Sequence, residues 1–292
     1  MSILFAMPFG KPVWRAALVL LLSGAAANPA VDVKLPMAEK SVRFAVIGDS
    51  GSGDKPQYDV GRVMAEYREN VQFDFVVMLG DNIYGGKSPA DFKRKFEDPY
   101  AQLLSAGVKF FAALGNHDGT SERYYKPFNM DGRRYYNYKR GDAEFFALDS
   151  NYMDPEQLKW LRDQLTKSGA KWKICYFHHP LYSDGKKHGP DLDLRRRLEP
   201  MFIELGVNVV LTGHEHFYER IKPKNGIAYF VLGNSGELRF GNLRRTPDVE
   251  KGFDSDRSFG MMEVAGDELH FQIVSRAGAT VDSGVLNLPG KK

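Results

Sequence analysis

The sequence predicts an α/β fold. Apolar runs alternate with helical stretches, each run leaves into a short polar turn, and only short strands follow residue 216. Residues 42–47 form the first run and enter Gly48-Asp49-Ser50-Gly51, with a helix expected over 58–67. The run 73–79 enters Gly80-Asp81-Asn82, and 91–104 reads as a helix interrupted at Pro99. The run 109–114 enters Gly115-Asn116-His117-Asp118. This strand–helix–strand repetition implies parallel pairing with helices over the sheet.

The middle of the chain changes character. Segments 135–138 and 143–148 flank Lys139-Arg140-Gly141-Asp142, a hairpin signal. A helix over 155–167 places Leu158, Leu161 and Leu165 on one face. The run 172–177 enters His178-His179-Pro180, a helix covers 194–205, and the run 207–211 enters Gly213-His214-Glu215-His216. Strands at 227–232, 261–264 and 269–274 complete the chain, with no internal repeat.

Of the 292 residues, 43% are hydrophobic and 26% charged, an ordinary globular balance. A net charge of +3 is too small to argue for nucleic acid or an anionic membrane. Residues 1–27 read as an export signal: Lys11 and Arg15 precede the apolar run 16–22, and Ala25 and Ala27 fit a small-x-small cleavage site. Met7 is a candidate alternative start, and removal of 1–27 leaves a charge of +1. Residues 28–41 read as a linker and 42–292 as one catalytic domain. Cys175 is the sole cysteine, so no intrachain disulfide forms; export without disulfides fits a secreted or periplasmic bacterial protein.

The strand exits share a property. Asp49, Asp81, Asn116, His178 and the pair His214/His216 each stand just past the C-terminal end of an apolar run. In open α/β sheets that edge is where ligands bind. Oxygen and imidazole donors gathered from five exits point to a metal site.

G-D-x-G, G-D-x-x-Y, G-N-H, a lone His and G-H-x-H, in this order, resemble the five motif blocks of the calcineurin-like metallophosphoesterases. Tyr84 narrows the resemblance to the purple acid phosphatase branch, and to its small mammalian-type (tartrate-resistant) form, from residue 42 to the C-terminus. The resemblance implies a four-layer α-β-β-α sandwich, two mixed sheets flanked by helices, with a dinuclear metal centre. It puts Asp49, Tyr84 and His216 on Fe(III), and Asn116, His178 and His214 on a divalent ion (Fe, Zn or Mn), with Asp81 bridging. Cys175 stands where the fourth block usually has valine and packs as a small apolar residue. The stretch between Asn116 and Tyr135 is shorter than the mammalian loop, so control by loop cleavage is not carried over.

The chemistry agrees. A phenol with an ordinary pKa of about 10 ionises in acid only beside a strong Lewis acid, which favours a trivalent ion at Tyr84. Asp49, Asp81, Tyr84 and a bridging hydroxide then leave an Fe(III)–M(II) site net positive, suited to a phosphate monoester, whereas two divalent ions would leave it neutral. A metal-bound hydroxide attacks phosphorus in line. His117, beside Asn116, and His188, in a His-Gly-Pro that small purple acid phosphatases carry over the site, are the candidate proton donors. His179 is expected to point the other way along an extended chain and to stand behind the ligands rather than among them, and His270 to be structural. Arg195-Arg196-Arg197 reads as a wet helix face, and Tyr124, Tyr125, Tyr135, Tyr136 and Tyr138 as packing.

The expected activity is acid phosphomonoester hydrolysis on small phosphate esters or phosphoprotein, by a monomer without nucleic-acid partner or stable membrane anchor. A diesterase acting on nucleotides or phospholipid headgroups is the first alternative. A non-catalytic metal- or phosphate-binding protein is the second.

Overall fold

The computed structural model describes residues 1–3 and 31–288; apart from its first three residues, the expected export signal lies outside them. From residue 42 the chain runs β1 (Val42–Ile47), α1 (Lys55–Val71), β2 (Phe75–Met78), α2 (Pro89–Phe92), a π turn (Lys93–Glu97), α3 (Ala101–Ser105) and β3 (Lys109–Ala112). The hairpin β4 (Tyr136–Arg140) and β5 (Ala143–Ala147) follows, then α4 (Pro155–Lys167), β6 (Trp172–Phe177), α5 (Leu192–Glu204) and β7 (Val209–Thr212). Six strands end it: β8 (Tyr218–Lys224), β9 (Ile227–Leu232), β10 (Val249–Phe253), β11 (Ser258–Ala265), β12 (Glu268–Ser275) and β13 (Thr280–Asn287).

These strands form two mixed sheets, ordered β13-β12-β11-β1-β2-β3 and β10-β8-β9-β7-β6-β5-β4. β1, β2 and β3 pair in parallel, as do β5, β6, β7 and β9; the remaining pairs are antiparallel. Side-chain alternation shows how the layers stack. Phe145, Ile174, Tyr176, Val209, Leu211 and Phe230 share one core with Phe44 and Phe75 of the first sheet. Their neighbours Phe146, Cys175, Phe177, Val210 and Tyr229 turn to the other face, against Leu161, Leu165, Leu198 and Phe202 of α4 and α5. Period-two side chains on a strand covered on both faces give this pattern. With α1 packed over the first sheet, the result is the α-β-β-α sandwich.

Local signals set the boundaries. Asp154 caps α4 by accepting the Gln157 amide at 2.8 Å, with Pro155 in the first turn. Asp191 caps α5 through the Leu194 amide at 2.9 Å. The helix expected over 91–104 is broken into short turns, because Pro99 lacks an amide hydrogen and Tyr100 is not helical. Strands β8, β10 and β13 escape a sequence reading. β8 buries Glu219, while β10 and β13 are edge strands with polar residues and no apolar run. Part of the stretch read as linker lies against the sheet. The Met37 and Ala38 amides donate to the buried Glu263 carboxylate at 2.9 and 2.7 Å, and the Lys34 amide to Gln272 at 2.8 Å. Among the described residues no helix is long and apolar enough to cross a membrane.

Phe44 links the two sheets. Its ring stacks on Phe75 at 5.3 Å and meets the edge of Phe145 at 5.0 Å, with no exposed surface. Phe44→Ala is expected to cost about 3–5 kcal/mol, read as a lower denaturation midpoint at unchanged slope.

Candidate metal centre

The exits of β1, β2 and β3 from one sheet meet those of β6 and β7 from the other, and hydrogen bonds tie the two edges together. The Asp49 amide donates to Gly80 carbonyl at 3.0 Å, and Gly213 to His178 carbonyl at 3.0 Å. Between sheets, His178 Nδ1–H donates to Leu79 carbonyl at 3.0 Å. A carbonyl can only accept, so Nδ1 carries the hydrogen and Nε2 faces the centre.

Three residues here have positive φ without being glycine: Asp49 (50°), Asp81 (51°) and His214 (69°). Left-handed backbone is uncommon for such residues and concentrates at functional sites. Glycine makes room beside them: a Cβ on Gly213 would stand 2.5 Å from Asp49 Oδ2, and one on Gly115 would run into the Asp81 carboxylate.

All seven residues expected as ligands converge. On one side Tyr84 Oη donates to Asp49 Oδ1 at 3.1 Å and lies 3.2 Å from His216 Nε2, which is 3.3 Å from Asp49 Oδ1. On the other, His178 Nε2 stands 3.0 Å from Asn116 Oδ1 and 3.1 Å from His214 Nδ1. Asp81 lies between, with Oδ2 3.4 Å from His178 Nε2 and a contact to the Tyr84 phenol. Asp49, Asp81 and His178 present donor atoms within 4.8 Å of one another.

Each carboxylate is held by a second contact. Asp49 Oδ2 accepts the His214 amide at 2.7 Å and Asp81 Oδ1 the His117 amide at 2.8 Å. Asp118 ties the β2 and β3 exits together, accepting the amides of Asn82, Ile83 and Gly115 at 2.7, 3.1 and 2.8 Å.

The electrostatics suit a cation. Asp49 and Asp81 are buried, and buried charge needs a counter-charge. Burial alone would lower the His178 pKa, yet the Asp81 and Asp49 carboxylates outweigh it and lift it to about 9. Burial also works to raise Asp81, but the charge and hydrogen bond of His178 and the His117 amide hold it well below the carboxylate range. Burial and the two carboxylates push the Tyr84 phenol far above its ordinary value. Burial and the neighbouring His178 lower His214 to about 2 and His179 to about 4. Two oxygen-rich and imidazole-rich groups sharing one carboxylate could hold a pair of metal ions: Asp49, Tyr84 and His216 at one position, Asn116, His178 and His214 at the other, Asp81 at both.

The remaining histidines are placed as follows. The His117 ring lies 4.8 Å from that of Tyr84, and His188 4.3 Å from His214; both are exposed at the centre's mouth. Burial, then Arg239 and Lys187, hold His188 below its ordinary pKa. His179 does not point away. β6 has ended at Phe177, so strand alternation no longer applies, and its ring stands 4.5 Å from His214. Its Nδ1 meets Ser150 Oγ at 2.8 Å, an orienting contact with no signal in the sequence. His270 contacts Glu268 instead, at 2.9 Å. A cavity of about 400 Å³ opens beside Asn116 and His179, with Thr120, Ser150, Tyr152 and Asp191 in its wall.

This fold and donor set define a metal-dependent phosphoesterase. The chain belongs to the calcineurin-like phosphoesterase family, whose model matches residues 42–218. It is 26% identical to rat tartrate-resistant acid phosphatase type 5, over 82% of this chain and 89% of that protein. It is 28% identical to purple acid phosphatase 17 of Arabidopsis thaliana, over 68% and 69% of the two chains. Among solved structures it resembles GAP50, described as the anchor in the inner membrane complex of Plasmodium (TM-score 0.73, 21% identity, 86% and 90% of the two chains). It also resembles the purple acid phosphatase PPD1 of yellow lupin (TM-score 0.66, 17% identity, 87% of this chain and 55% of that one). These two likenesses show the fold alone.

Asp81→Asn is expected to weaken both metal positions, because its charge would serve both, whereas Asp49→Asn weakens chiefly one. Metal stoichiometry of the purified variants checks this; loss of the same single ion from each would remove the shared role of Asp81.

Proposed function

We propose that the protein hydrolyses phosphate monoesters in acid solution at an Fe(III)–M(II) centre, with Fe, Zn or Mn as the divalent ion. The observation that carries this reading is the grouping of six donor side chains around a seventh, Asp81. Tyr84 supports a trivalent ion on its side: a phenol buried beside two carboxylates gives up its proton only to a strong Lewis acid. Ions held there would supply Lewis-acid charge to the phosphoryl oxygens and a water acidic enough to attack phosphorus.

The protein's own groups do the rest. Asn116 would serve as a metal ligand at the β3 exit beside the reacting phosphate, and the exposed His117 next to it would bind a phosphoryl oxygen. His188 donates a proton to the leaving oxygen as the ester bond breaks. With its pKa held below the ordinary value, it keeps that proton only in acid solution, which supports an acid optimum. The cavity beside Asn116 and His179 receives the leaving group. Its room for a second ester arm keeps diester hydrolysis as a second reading, separated by rates on a monoester and a diester at equal concentration. Small phosphate esters or phosphoprotein are the proposed substrates. Residues 1–27 would export the chain, 28–41 would join that signal to the domain, with 34–38 laid against its sheet, and 42–292 would act, giving a secreted or periplasmic enzyme.

The purified protein is expected to be coloured by charge transfer from the Tyr84 phenolate to iron. Tyr84→Phe should bleach the band and keep the iron; a colourless, fully active two-zinc protein would refute the iron assignment.

His188→Ala is expected to slow an alkyl phosphate by about 10²-fold or more, within the range of general-acid catalysis, and an aryl phosphate with an acidic phenol far less. Metal content should hold. Equal slowing of both substrates would pass the donor role to His117.

A further inference from the structure

The β7 exit sends two imidazoles to the centre and the side chain between them elsewhere. Glu215 has no exposed surface, yet its carboxylate reaches into the loop over residues 183–189. Oε1 accepts the Gly189 amide at 2.6 Å and the His188 amide at 3.1 Å, and Oε2 accepts Asn242 Nδ2 at 3.1 Å. Arg239 stands 3.8 Å from Oε2 and donates to the His214 carbonyl at 3.4 Å. The loop closes tightly on this carboxylate, because a Cβ on Gly185 would collide with it. Other straps hold the loop away from His188: the Asp184 amide on Glu219 at 3.0 Å, and the Lys186 amide on the Asn242 carbonyl at 2.9 Å.

The placement of these bonds matters. They fall on His188 itself and on the residue after it, in a segment whose histidine and two preceding lysines are exposed. Amides donating to a buried carboxylate are among the stronger hydrogen bonds in proteins. An exposed loop histidine otherwise samples many positions, and a proton donor works only within hydrogen-bond reach of its target.

We propose that Glu215 is a positioning residue: its buried carboxylate clamps the backbone at His188 and Gly189 and so holds the His188 imidazole over the centre beside His214. The proposal rests on the reading of His188 as proton donor. Glu215 thereby couples the motif that supplies two metal-ligand candidates to the loop that supplies the acid.

The test uses the metal-loaded full chain with Glu215→Ala, Glu215→Gln and Gly185→Ala. The last disturbs the same contact from the loop side and keeps the carboxylate. Glu215→Ala and Gly185→Ala should lower kcat on an alkyl phosphate by about tenfold or more, with a much smaller fall on an aryl phosphate. Glu215→Gln, which keeps one acceptor oxygen, should fall less. Metal content should be retained, and hydrogen exchange at the His188 and Gly189 amides should accelerate. In the His188→Ala background, Glu215→Ala should slow the alkyl phosphate no further. Loss of metal from Glu215→Gln and Gly185→Ala, or equal slowing of both substrates, would make Glu215 a brace of the ligands and overturn the proposal. If His188→Ala is selective for the alkyl phosphate but the two effects multiply, the positioning role alone fails. If His188→Ala is not selective, the donor reading fails and the positioning role falls with it.

Discussion

Two buried carboxylates govern this structure. Asp49 and Asp81 sit at the ends of neighbouring parallel strands, out of water and in left-handed backbone, and each is tethered by an amide from another exit. Burial of negative charge without compensation is costly, so the surrounding elements must deliver positive or polarising groups to them. That demand explains the glycines at 115 and 213, which have no room for a side chain against these carboxylates. It also explains the lifted His178, an imidazole anchored to the backbone of the opposite sheet.

The sandwich serves this arrangement. Two sheets pack face to face with their C-terminal strand ends on one side, so three exits come from one and two from the other. A single sheet would offer its exits in a row; two facing sheets surround a point. The shared core of Phe44, Phe75 and Phe145 fixes how closely the edges approach. Around the centre, Asp118 joins the exits of the first sheet and Glu215 reaches from the second into the loop of His188. The rigid strands hold the donors, and the exposed loops hold the groups that meet substrate.

Much of this was legible in the sequence. The five exits stand out because an apolar run ending in Gly-Asp, Gly-Asn or His breaks pattern abruptly, and their donors do converge. What was hidden depends on direction rather than residue type. Glu215 between two histidines looks like spacing residue, because its contacts lie 26 and 27 residues away in sequence. The direction of the His179 ring is hidden because the strand stops at Phe177 and its alternation does not extend past that residue. Lys34 to Ala38 looked like polar linker because the acceptors that bind them, Glu263 and Gln272, lie on strands more than 200 residues later. Edge strands β10 and β13 carry no apolar periodicity at all.

The proposed function depends on Asp81 being shared by two ions, with iron on the Asp49, Tyr84 and His216 side. Anomalous diffraction from crystals of the metal-loaded protein, recorded on either side of the iron edge, tests it directly. Two peaks are expected to flank the Asp81 carboxylate, with the iron signal at the position that Tyr84 faces. A single peak, or iron confined to the Asn116, His178 and His214 side, would contradict it.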